Sequence, residues 1–228
     1  MSTKMNWPDD FVNKVICGDC LEVMKEMSDE CVDLILTDPP YGIGKKYGNF
    51  NDKFSNNEYQ PWLMNRISEA ERILKKDGII FVFMPQINMR EWILWFPKKS
   101  RIFAGVKNFT QFHNIVIQYS WSPIVFWEKD KSKIEPVVGK RDWCLEHTAS
   151  AWGISGIKQK DHPAIRDLSI LNYLIKNFSL ENDTVLDCFN GFGSTSRAAK
   201  DLKRNFVGIE IDPEYCKIAE ERLAQGVL

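Results

Sequence analysis

Residues 79–84 read Ile-Ile-Phe-Val-Phe-Met, six apolar side chains in succession without polar alternation. A strand with one wet face alternates, and a strand covered on both faces does not, so this run predicts a strand inside a sheet flanked by helices on both sides. It is far too short to cross a bilayer, which needs about 20 apolar residues. Strands of similar character are expected at Lys14–Cys17, Val32–Leu36, Thr184–Asp187 and Phe206–Glu210. Helical spacing fills the gaps, over Leu21–Met27, through Tyr59, Leu63, Ile67, Ala70 and Leu74, through Leu168, Leu171, Ile175 and Phe178, and over Ser194–Leu202 and Pro213–Leu223. Asn57 with Gln60 reads as a capping pair for the second helix and Gly78 as its stop; Asp212 reads as the N-cap of the last, with Pro213 at its first position. Alternation of this kind predicts an α/β fold built on a doubly wound, mostly parallel sheet.

The rhythm fails between about Gln86 and Lys160, where Trp92, Trp95, Trp121, Trp127, Trp143 and Trp152 are mixed with many lysines and arginines. Only Asn114–Tyr119 and Pro123–Trp127 read as strands there. The chain therefore divides into an N-terminal half of the sheet domain (1–85), an inserted segment (86–160) expected to make contacts instead of core, and a C-terminal half (161–228). The formal charge of -1 carries no whole-surface basic footprint, so a polyanionic partner must be met locally. Six dispersed cysteines without a dense framework are expected to be reduced thiols. The start MSTKMNWPDD lacks the apolar core of a secretory signal, which points to the cytoplasm. Cys17 and Cys20 form a CxxC with no second pair and no matching His spacing, so no metal is expected. His113, His147 and His162 have no partner motif and receive no role.

Two predicted strand ends carry unusual chemistry, and in open α/β sheets ligands sit beyond such ends. One is Thr37-Asp38-Pro39-Pro40-Tyr41. The other is Asp187-Cys188-Phe189-Asn190-Gly191-Phe192-Gly193-Ser194-Thr195, a strand that opens through glycines into a helix. A glycine turn of this type commonly cradles pyrophosphate, but Asp187 would repel phosphate and welcome an ammonium or sulfonium group. Glu210 closes the next strand, where an acidic side chain accepts hydrogen bonds from ribose hydroxyls. A cationic ribose-containing cofactor without phosphates suits both acids, and S-adenosylmethionine is the obvious member of that class.

The motif Asp38–Tyr41 after Thr37, DCFNGFGST at 187–195 and FVGIEIDPEYCKIA at 206–219 together resemble the amino-group (N6-adenine or N4-cytosine) DNA methyltransferases, in the beta-type motif order. The likeness covers about two thirds of the chain. It implies a Rossmann-like S-adenosylmethionine-dependent methyltransferase fold with an inserted target-recognition segment. Asp38, Pro39, Pro40 and Tyr41 match the catalytic motif; Asp19, Cys20, Asp38, Asp187, Phe189, Gly191, Gly193, Ser194, Thr195, Glu210 and Ile211 match cofactor positions. His162-Pro163 resembles the start of a further family stretch, from which Ala164–Asp167 depart. The implied partner is double-stranded DNA, with no metal and no membrane, and a homodimer is left open. Lys45, Lys46 and Lys53, in a flexible loop with Gly42, Gly44 and Gly48, are candidates for phosphate contacts, and Arg101, Lys131, Lys140, Arg141 and Lys158 for recognition.

In that reading an exocyclic amine, whose lone pair is delocalised into the base, is held near tetrahedral geometry by the Asp38 carboxylate and the Pro39 carbonyl. The prolines fix the backbone that presents them, and Tyr41 stacks on the flipped base. Adenine N6 is the expected acceptor, because relatives acting on cytosine N4 usually carry Ser where Asp38 stands. Cytosine N4, an inert nucleic-acid-binding subunit of the same fold and a nicotinamide oxidoreductase are the alternatives, the last disfavoured by Asp187. The residues leave RNA open as substrate and name no recognised site.

Overall fold

The computed structural model describes residues 5–48, 50–55, 57–111, 119–134, 141–146 and 168–225. Within them the elements run β1 (Lys14–Cys17), α1 (Cys20–Lys25), β2 (Val32–Thr37), β3 (Lys46–Tyr47), β4 (Phe50–Asn51), α2 (Tyr59–Ile73), β5 (Leu74–Phe83), α3 (Met89–Ile93), β6 (Arg101–Gln111), β7 (Tyr119–Glu128), β8 (Trp143–Glu146), α4 (Leu168–Phe178), β9 (Thr184–Asp187), α5 (Ser194–Asp201), β10 (Asn205–Glu210) and α6 (Pro213–Ala224). The main sheet has the order β1-β10-β9-β2-β5-β7-β6-β8. Its first five strands are parallel, β7 is antiparallel to both neighbours, and β8 is parallel to β6. The C-terminal strands β9 and β10 thus insert between β1 and β2, which makes one sheet of both halves of the chain.

Successive side chains of a strand point to opposite faces, so continuous apolar runs feed two cores. On one face Ile35, Ile80, Val82, Leu186, Val207 and Ile209 pack with Met24, Leu63, Ile67 and Trp92 of α1, α2 and α3. On the other, Leu34, Leu36, Phe81, Phe83, Val185 and Phe206 meet Leu171, Leu174, Ala198 and Leu223 of α4, α5 and α6. The result is a three-layer α/β/α sandwich. Asp212 caps α6 through its side chain, accepting from the backbone of Glu214 and Tyr215, with Pro213 at the first turn.

Three expectations are corrected. Asn57 and Gln60 do not cap α2; Glu58 holds the N-cap position without a side-chain cap and accepts from Ser55 N at 3.1 Å. Gly78 does not stop that helix, which ends at Leu74 in extended backbone; it lies inside β5, at the place where the register with β2 jumps. A side chain at Gly78 would come within 2.5 Å of Leu74 and 2.9 Å of the Asp33 carbonyl, so glycine is there for close approach. The middle segment also builds core: Phe103, Ile124, Val125, Phe126 and Trp127 are buried, and β6, β7 and β8 complete the sheet. Its aromatics hid the strand period, because Trp and Phe at inward positions look like an irregular patch when the partner strand is unknown. The expected strand at Asn114–Tyr119 lies outside the described residues except for Tyr119, which opens β7.

Near the start of β2, at the end of that strand opposite Thr37, Asp33 gathers charge from across the chain. Its carboxylate accepts from Lys75 Nζ at 2.8 Å, Lys133 Nζ at 2.6 Å and Thr184 N at 2.9 Å, and Lys133 also meets Asp183 at 3.0 Å. Burial would raise its pKa, but these donors outweigh burial and hold it below the ordinary 3.8. Its contribution is therefore present above that value and lost as pH falls through the lower folded-state pKa. Asp33→Ala is expected to cost about 2 kcal/mol in urea unfolding, the low side of a buried-pair loss because both lysines keep solvent contact.

Candidate active site

The parallel strands end together. Cys17 pairs with Glu210, Gly208 with Asp187, and Thr37 with Val82, so the chain segments that leave β1, β10, β9, β2 and β5 face one rim of the sheet. There the Thr37 hydroxyl donates to Asp187 Oδ1 at 2.9 Å. This bond joins residues 150 apart in sequence, and it places the two chemically unusual strand ends side by side.

On the β2 side, Tyr41 donates its hydroxyl to Asp38 Oδ1 at 2.8 Å, and its ring meets Trp92 edge-on at 5.7 Å. The Pro40 carbonyl accepts from the Tyr59 hydroxyl at 2.6 Å. Pro39 and Pro40 lock φ, so these bonds fix the direction in which the loop presents its remaining acceptors.

On the β9 and β10 side, Asp187 is buried and accepts from Phe189 N at 3.0 Å and from the Thr195 hydroxyl as well as from Thr37. Burial pushes its carboxyl up to about 6 against these donors, and the nearby Asp38 charge adds to the rise. Gly191 N donates to Glu210 Oε2 at 2.7 Å and Asp212 N to Oε1 at 2.9 Å, while burial raises Glu210 as well. Gly191 and Gly193 have φ of 49° and 75°, a left-handed turn suited to glycine, and Cβ on Gly193 would meet Ala219 at 3.0 Å. Asp19 caps α1 by accepting from Leu21 N at 2.8 Å, and its second oxygen accepts from Arg66 Nη2 at 2.5 Å. Of the other expected positions, Ile211 is exposed at the rim. The Ser194 hydroxyl bonds Arg222 Nη1 at 3.0 Å within the core, and burial of the Cys20 thiol raises its pKa to about 12, so those two side chains sit behind the site.

Within the glycine-rich basic loop, β3 and β4 pair as a short antiparallel hairpin. Phe50 and Phe54 pack on Trp62, and positive-φ Gly48 lies so close to Asp212 that a Cβ would stand 2.1 Å from its carboxylate. Arg101 and Arg141, near the starts of β6 and β8, lie over the rings of Phe126 and Trp143, and Lys131 follows β7. Pairing through Phe126 and Phe81 sets Arg101 level with Leu36, next to the rim but three strands away from β2. Arg141 precedes Trp143, which pairs with Ala104 further along β6, and Lys131, past the end of β7, lies towards the opposite end of the sheet. Lys140, Lys158 and His162–Asp167 lie outside the described residues. Sequence reasoning missed Tyr59, Trp62 and Arg66: Tyr59 reads as part of the apolar stripe of its helix, and Trp62 and Arg66 fall outside that stripe with no motif of their own.

The donor set fits a cation that carries a ribose: the buried Asp187 and the half-buried Glu210, both with raised pKa, gain from a positive or hydroxyl-bearing ligand. The six cysteines are free thiols, and among the described residues no group of three or more His, Cys, Asp and Glu is placed to hold a metal. No described helix is long and apolar enough to cross a membrane.

A family model described as DNA methylase matches residues 32–221. The chain is 26% identical to the type II methyltransferase M.HpaI of Haemophilus parainfluenzae, over 92% of this chain and 74% of that protein. It is 26% identical to the DNA adenine methyltransferase YhdJ of Escherichia coli (strain K12), over 92% and 82% respectively. Among solved structures, the cytosine-N4-specific PvuII DNA methyltransferase superposes with a TM-score of 0.72 at 19% identity, over 94% of this chain and 87% of that one. The M1.HpyAVI–SAM complex gives 0.67 at 23% identity, over 92% and 98%. S-adenosylmethionine is the cofactor of these enzymes, and by its sequence match the chain belongs to the amino-group DNA methylases, which act on adenine N6 or cytosine N4.

Proposed function

We propose that the chain methylates the N6 amine of adenine in double-stranded DNA, on a base flipped out of the duplex. S-adenosylmethionine supplies an electrophilic methyl on a sulfonium; Asp187 and Glu210 hold its charged and ribose ends, with Asp19, Phe189, Gly191 and Gly193 along the rest of the cleft. The Asp38 carboxylate and the Pro39 carbonyl accept the two N–H groups of the target amine, which turns its lone pair out of the ring. To enter, the amine displaces the Tyr41 hydroxyl from Asp38 Oδ1, which frees the Tyr41 ring to stack on the base. No metal is needed, since the nitrogen becomes acidic only once it has gained the methyl. The lysines of the β3–β4 hairpin stand beside this pocket to meet flanking phosphates.

The observation that carries the reading is the Thr37–Asp187 bond, which holds acceptor and donor loops against one another. Asp at position 38 favours adenine over cytosine. The test is incubation with labelled S-adenosylmethionine and unmethylated duplex DNA, followed by nucleoside analysis. N6-methyl-2′-deoxyadenosine is expected; N4-methyl-2′-deoxycytidine would move the target to cytosine, and cofactor binding without transfer would mark an inert subunit.

A further inference from the structure

Helix α2 reaches both loops of the proposed reaction with one face. Tyr59, Trp62 and Arg66 stand at i, i+3 and i+7, and they meet segments that leave three different strands. The Tyr59 hydroxyl holds the Pro40 carbonyl at 2.6 Å, and its ring fills the space above Gly42, where a Cβ would come within 2.8 Å of it. Trp62 lies 5.8 Å from the Phe189 ring in the glycine loop. Arg66 stacks 4.2 Å over Trp62 and donates to Asp19 Oδ2 at 2.5 Å and to the Trp62 carbonyl at 3.2 Å. Its side chain is only 9% exposed.

A guanidinium on the inward face of a helix is costly unless its partners matter, since Leu would fill the same position at no desolvation cost. Seven residues of α-helix also fix the two contact points about 10 Å apart along a rigid axis. We infer that this face of α2 is a positioning device, with Tyr59 setting the acceptor loop, Arg66 setting Asp19 at the far end of the cofactor cleft, and Trp62 tying both to the glycine loop. The inference rests on the function proposed above. None of the three touches the reacting atoms; they act through Pro40, Phe189 and Asp19.

The full chain is tested by calorimetric binding of S-adenosylmethionine, single-turnover methylation of unmethylated phage DNA, and melting temperature. Tyr59→Phe keeps the ring and removes only the hydroxyl, so the methylation rate at saturating cofactor should fall about tenfold while the cofactor Kd stays within twofold. Arg66→Gln should raise the cofactor Kd about tenfold, and Arg66→Lys, which reaches the carboxylate without the planar stack, should recover part of that loss. A Tyr59→Phe protein with the wild-type rate, or an Arg66→Gln protein with the wild-type Kd, overturns the inference. If Arg66→Gln fails to fold, the Lys variant decides, a raised Kd supporting and a wild-type Kd refuting. A wild-type chain that binds no cofactor or methylates no DNA sinks the proposed function, whereas an active wild type with silent variants sinks only the role of α2.

Discussion

Asp38→Asn should lower single-turnover methyl transfer on the order of 100- to 1000-fold, the usual loss when one preorganised partner of a developing charge is removed. The substitution preserves size and replaces a pure acceptor by a group that presents its own N–H to the incoming amine. It therefore removes one of two hydrogen bonds and adds a donor–donor conflict. Tyr41 keeps a partner in the ligand-free loop, because the Asn carbonyl can accept its hydroxyl where Asp38 Oδ1 does now, at 2.8 Å. The loop should thus stay folded while the chemistry fails, and thermal melting alongside the kinetics separates the two. Transfer at more than a tenth of the wild-type rate at saturating cofactor would remove Asp38 from the acceptor role.

Asp187→Asn should weaken cofactor binding on the order of 100-fold and abolish its pH dependence, because a buried carboxylate facing a cation contributes through its charge. In the ligand-free protein burial raises this carboxyl to about 6. A cation favours the ionised form, so binding lowers the pKa and releases a proton near pH 6. Wild-type affinity is therefore expected to be flat above about pH 6 and to fall about tenfold per unit below it. Titration calorimetry in buffers of different ionisation enthalpy reads both the affinity and the released proton. Stability runs the opposite way. A folded-state pKa above the ordinary 3.8 gives a contribution fully present below 3.8 and lost as pH rises through about 6. Without cofactor at pH 7, the Asn variant, whose carbonyl still accepts from Thr37 and Phe189, should melt no lower than wild type. A lower melting temperature together with unchanged cofactor affinity would assign Asp187 a structural role only.

Much of this molecule is legible from local pattern. The run at 79–84 announced a doubly covered strand, and its first five residues lie in β5, with helices on both faces. Asp212 and Pro213 announced a helix start because a cap is satisfied within three residues and needs no distant partner. Gly78 misled for the same reason: a glycine after a helical stretch looks like a stop, but the demand at that position comes from the Asp33 backbone on a neighbouring strand. The middle segment hid β6 because its inward aromatics make sense only against β5 and α4, as in the edge-on contact of Phe103 with Phe81 and its contact with Tyr173.

By itself the sequence determined the alternation of strands and helices, the acids and prolines at their ends, and the kind of ligand those acids suit, since all of these follow from residue type and near-neighbour spacing. Tertiary structure alone decided that β9 enters beside β2, which brings Thr37 to Asp187, and that one side of α2 meets three separate loops. Sheet order is a long-range choice, made by burial of two apolar faces at once, and no local window of the chain contains it.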